Sequence, residues 1–94
     1  MITVKAMING IQSDKSDVVG GEVLVTAYRS AAGDITLVGS PILNRNYSNP
    51  SDTSDIDAAI NVGTQSLDIL VVGVAAQNWN WASTISYMLT VDNT

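Results

Sequence analysis

The segment ITVKAMING, residues 2–10, decides how the rest of this chain is read. Ile2, Val4, Ala6 and Ile8 fall on one side, while Thr3, Lys5 and Met7 fall on the other. A period of two with one apolar side is the mark of a strand with one buried face. Asn9-Gly10 follows directly and is the strongest short turn signal available. The first strand is therefore expected to end at Ile8, with IQSDKSDVVGG (11–21) as a loop or short edge piece.

Further along, EVLVTAYRS (22–30) alternates again, with Val23, Val25 and Ala27 pointing one way and Leu24, Thr26 and Tyr28 the other. The turn AAGD (31–34), with a permissive Gly33, leads into a partner strand ITLVGSP at hairpin distance. Pro41 closes that strand or places it at an edge, having no amide hydrogen to donate. NRNYSNPSDTSD (44–55) is dense in Asn, Ser, Asp and Pro and is expected to be the longest loop, with a short strand around Tyr47 at most. IDAAINVG (56–63) fits either a short strand or a helical turn. SLDILVVGVA (66–75) is apolar on both faces and is expected to be a central strand covered on both sides.

The last stretch, NWNWASTISYMLTV (78–91), holds both tryptophans. Alternation puts Trp79 and Trp81 on one face with Ser83, Ile85, Tyr87, Leu89 and Val91. In a chain without phenylalanine, these rings are expected to supply much of the core's bulk. Both cannot be core and ligand platform on one face, so Trp81 is expected to be buried and Trp79 to lie at a rim or subunit interface. Some six strands separated by turn signals, with no long parallel crossover, predict an all-β fold. The expected architecture is one antiparallel β-sandwich or jelly-roll-like barrel spanning residues 1–94.

Composition narrows the function. The 94 residues include no cysteine and no histidine, so thiolate chemistry, disulfides and the commonest general base are absent. Charged residues are only 14% of the chain against 46% hydrophobic, a balance that fits an exterior partly hidden in an assembly. The net charge of −5 leaves Lys5, Lys15, Arg29 and Arg45 scattered, so nucleic acid is not an expected partner. The longest uncharged apolar run, 69–76, falls far short of the ~20 residues of a membrane-spanning helix, and no membrane partner is expected. The first ten residues lack a basic segment followed by an apolar stretch, and read as the start of a cytoplasmically made chain.

Candidate sites are few. Asp52, Asp55 and Asp57 with Ser54 offer hard oxygen ligands, but without the spacing of a calcium loop they read as a solvated loop, and no metal or other cofactor is expected. Serine nucleophiles would need Lys5 or Lys15 as base, and neither stands in a recognisable motif. Trp79 with Gln77, Asn78 and Asn80 combines a ring and amides, the chemistry of a saccharide site or an interface anchor.

Two segments, VTAYRSAAGDITLVGSP (25–41) and LDILVVGVAAQNWNWASTISYMLTV (67–91), resemble small all-β modules of the structural proteins of tailed bacteriophages. The likeness lies in a strand, a Gly-containing turn and LVG in the first, and in an apolar strand leading to an Asn-Trp pair in the second. Asn80-Trp81 matches that pair and Trp79 is extra. The resemblance implies a virion protein without catalysis, a homotrimer acting as capsid decoration or cement through contacts with its own copies and with the major capsid protein or another virion protein. The alternative it implies is a tail fibre or knob module that binds a host receptor or saccharide.

Overall fold

Two long antiparallel ladders share one strand. The computed structural model describes residues 1–91 and contains β1 (Ile2–Gln12), β2 (Val18–Tyr28), β3 (Thr36–Leu37), β4 (Ile42–Tyr47), β5 (Asp55–Asn61), β6 (Ser66–Val72) and β7 (Trp79–Leu89). All pairing is antiparallel and no helix occurs among the described residues. β1 lies between β2 and β7, and β3 and β4 share the far side of β2. β5 and β6 form a separate two-stranded sheet.

Register fixes what faces inward. Val4 stands between Val25 and Tyr87, Ala6 between Val23 and Ile85, and Ile8 between Gly21 and Ser83. Partners across a ladder share a face, so the apolar side of β1 continues into β2 and β7. Ile56 and Ala58 of β5 close over Val4, Ala6, Ile8, Val23 and Val25 to form the core. Ile8, Val23 and Ile56 are almost wholly buried, each stabilising the fold by about 1.5–3 kcal/mol.

Polar contacts hold this hairpin at both ends. At its start, Arg45 Nη1 donates to both Asp55 oxygens at 2.8 and 2.9 Å, and Tyr47 Oη donates to Asp55 Oδ1 at 2.7 Å. At its turn, Gln65 Oε1 accepts from the Ile35 amide at 2.7 Å, and Gln65 Nε2 donates to Asp34 at 2.8 Å. These four anchoring residues lie on or beyond β4 and β3, so the hairpin sits over β2 and β4.

Several expectations from sequence are corrected. β1 does not turn at Asn9-Gly10 but runs through it, with Gly10 opposite Val19 and Trp81. Gly10 is needed there for close approach, since a Cβ at that position would fall within the Trp81 six-membered ring. The chain reverses instead at Asp14–Ser16, where Lys15 takes φ 64° and the Gln12 amide donates to Asp17 O at 2.9 Å. Residues 18–21, expected in a loop, open β2 and pair fully with β1.

The strand expected over 35–41 shrinks to two residues, because Gly39 at φ 71° turns the chain away. Of the polar stretch 44–55, only 44–47 belong to β4, the short strand expected around Tyr47; β4 starts earlier, at Ile42, and its Ile42 and Leu43 pair with Leu24 and Val23. Of the two alternatives for 56–63 the strand holds, through Asn61, with 62 and 63 in the turn that follows. β6 is not central: it pairs only β5, and Leu70, Val71 and Val72 are exposed. The sheets do not close into a barrel, since β6 and β7 make no ladder with one another.

Gly10→Ala is expected to push the Trp81 ring off the sheet, at a cost of about 1–3 kcal/mol. Chemical denaturation would read the loss, and tryptophan emission should shift to the red. Unchanged stability would mean that the ring does not rest on Gly10.

Candidate interaction surface

The tryptophans lie at one end of the large sheet, stacked with centroids 5.5 Å apart and planes at 20°. Such a pair adds about 0.5–1.5 kcal/mol beyond its buried area. Trp81 rests on Gly10 and packs against the core. Trp79 has Trp81 on one side and the Gly73 backbone close by its pyrrole ring, and its Nε1 donates to Gln77 Oε1 at 3.2 Å. Both tryptophans are half-buried. Asn78 ties the end together through its main chain, its carbonyl accepting from the Ser13 amide at 2.8 Å.

Asn80 stands apart from this group. It pairs with Ile11, so its side chain belongs to the opposite face of the sheet. There it shares a concave trough with Asn9 and Asn46, floored by Gly20, and Asn44 and Thr84 border the adjoining hollow. The four residues Gln77, Asn78, Trp79 and Asn80 are thus divided. Trp79 and Gln77 form one unit, Asn78 serves a turn, and Asn80 joins an amide cluster assembled from three strands. The exposed amides of Asn9, Asn44, Asn46 and Asn80 could not be grouped from sequence, because register alone brings them together.

The acidic residues of 52–57 are engaged separately. Asp52 Oδ1 accepts from the Ser54 hydroxyl at 2.6 Å and from its amide at 2.9 Å, which holds the Asp52 carboxyl below the usual range. Burial, and then the Asp52 charge, push Asp17 up. Burial also acts to raise Asp55, but hydrogen bonds from Tyr47, Arg45 and the Ile56 amide outweigh it and leave that carboxyl lowered. Among the described residues, no group of three or more acidic side chains is placed to hold a metal ion.

An uncovered apolar region lies on the open side between the two sheets. Hairpin β5–β6 reaches over β2 and stops short of β7. Ile85, Tyr87 and Leu89 share the core face of β1, yet they remain 52%, 70% and 60% exposed. A groove of about 530 Å³ runs between β6 and β7, lined mainly by Ile2, Val4, Leu67, Ile69, Ile85 and Tyr87, with Asp68 also on its wall. The apolar stripe expected on the last strand is therefore present, and none of the described residues covers its second half.

The chain matches no known family profile, no curated protein and no solved structure.

Asp55→Asn should weaken the hairpin anchor in a pH-dependent way. A lowered folded-state pKa contributes stability above the unfolded value near 3.9, and that contribution is lost as pH falls through the folded value. Thermal melts from about pH 6 down to 2 should fall less steeply for the variant than for the wild type. Parallel curves would show that the Asp55 contacts carry no pH-dependent stability.

Proposed function

We propose that this chain is a non-catalytic structural protein that acts by contact area, a phage virion component of the capsid decoration or cement type. The observation that carries this reading is the uncovered apolar side of β6 and β7, including Ile85, Tyr87 and Leu89. An apolar strip of this kind marks an interaction site. The two packed layers are read as a sandwich left open along that side. Its partners would be other copies in a homo-oligomer, for which the resemblance implies three, and the major capsid protein or another virion protein. The mechanism would be additive: each copy removes its strip from water and links neighbouring subunits of the shell. No residue is assigned a catalytic or cofactor-binding role.

A second reading is a tail knob that binds a host receptor or saccharide. The concave trough with Asn9, Asn46 and Asn80 favours it, since uncharged amides can both donate to and accept from hydroxyls. On this reading Asn80 contributes to binding, while the stacked Trp79 stays structural.

Added to empty phage shells of the matching coat protein, the purified chain should bind in fixed stoichiometry and raise the temperature at which they open. Asn46→Ala and Asn80→Ala should leave that binding unchanged. No binding to shells, together with glycan binding that those two variants abolish, would move the assignment to the knob.

A further inference from the structure

We propose that the outer edge of β7 pairs, antiparallel, with the same edge of a second copy of this chain. The inference rests on the self-association proposed above and names the surface that performs it.

Hydrogen-bond phase fixes which groups are offered. Thr90 and Met1 exchange two bonds, with the Thr90 amide donating to Met1 O and the Met1 amine donating to Thr90 O, both at 2.9 Å. The Ser13 amide donates to Asn78 O in the same phase. In an antiparallel ladder such pairs alternate with pairs whose main-chain groups point away. Asn80, Ala82, Thr84, Ser86 and Met88 therefore bond to β1. Trp81, Ser83, Ile85, Tyr87 and Leu89 turn their amides and carbonyls outward, to a side on which no strand of the described residues lies.

Exposed edges normally carry a device against pairing, such as a charge, a proline or a bulge. The other open edges of this protein have one. Pro41 and Arg45 stand on the β3–β4 side, and Asp68 stands on β6. β7 has none: no charged residue and no proline lies between Asp68 and Asp92. Its ladder with β1 also runs residue for residue from Gln12–Trp79 to Ile2–Leu89, without a bulge. The edge is thus long, regular and undefended.

The occupant assigned is a second copy, because an uncharged strand is where two acidic chains meet with least repulsion. Each chain carries −5, so copies repel wherever their acids meet. Joined along β7, they meet over a strand that itself carries no acid, with Asp68 on the groove wall beside it. Pairing centred on Tyr87 sets Ile85 of one copy opposite Leu89 of the other and places both stripes across the mouths of the grooves beside β6. In that register the two copies of β7 (Trp79–Leu89) overlap over Ile85–Leu89, about 17 Å of strand. Over the 19 Å depth of the molecule, the joint covers on the order of 300 Å² per copy, the size of a weak contact that forms only at high concentration.

Sedimentation velocity and a cysteine cross-link test this together. At about 100 µM the wild type should sediment as two chains of 9.9 kDa. Ile85→Lys and Tyr87→Lys should each weaken the pair at least about tenfold while keeping the wild-type circular dichroism. The native sequence has no cysteine, so Tyr87→Cys should form an inter-chain disulfide under mild oxidation. Thr84→Cys, facing the other side of the sheet, should not. A wild-type monomer at that concentration overturns the proposal. So does a trimer that Ile85→Lys leaves intact, though self-association would then stand on another surface. Should the lysine variants fail to fold, absence of the Tyr87→Cys cross-link overturns it alone.

Discussion

The placement of the β5–β6 hairpin governs everything else in this structure. Asp55, held by Arg45 and Tyr47, and Gln65, held by the Ile35 amide, pin the hairpin to the β3–β4 side of the large sheet. Ile56 and Ala58 then lie over β1 and β2, where they complete the core. Two strands cannot also cover β7, which among the described residues is paired with β1 alone. The polar anchors thus decide which apolar residues the hairpin covers and which stay exposed.

The energetics follow from that asymmetry. The core is small: besides Ile8, Ile35 and Ile56, its buried apolar side chains are valines and alanines. A domain of this size buries only about 60–65% of the surface its unfolded chain exposes. The stacked tryptophans extend the packed region past the hairpin's end, and this requires Gly10, whose missing side chain lets the Trp81 ring lie flat on β1. At the opposite end of β7 no such cover exists, so Ile85, Tyr87 and Leu89 gain little in the single chain. Burying them between molecules would add stability that one copy does not have.

How much of this was legible in the sequence varies by element. The alternation of Ile2, Val4, Ala6 and Ile8 and of Val23, Val25 and Ala27 states their burial correctly, because a strand's period needs no tertiary information. Asn9-Gly10 misled for a physical reason. Glycine serves both turns and close approaches, and only the partner, Trp81, tells which. SLDILVVGVA reads as doubly covered since apolar runs carry no record of how many layers the domain has; the hairpin has no further sheet behind it. The residues beside Asn80 were hidden, since Asn9 and Asn46 reach it only through register. The free edge did leave a mark, the uncharged span from Ile69 to Val91, whose meaning depends on knowing that β7 comes last in its sheet.

Residue-resolved amide exchange along β7, followed by NMR in dilute solution, tests the central claim most directly. With the hairpin set over β2 and β7 bound only to β1, protection should alternate. Amides of Asn80, Ala82, Thr84, Ser86 and Met88 should exchange slowly, and those of Ser83, Ile85, Tyr87 and Leu89 quickly. Uniform protection at the lowest measurable concentration would contradict the account, for it would mean that the chain covers this edge itself.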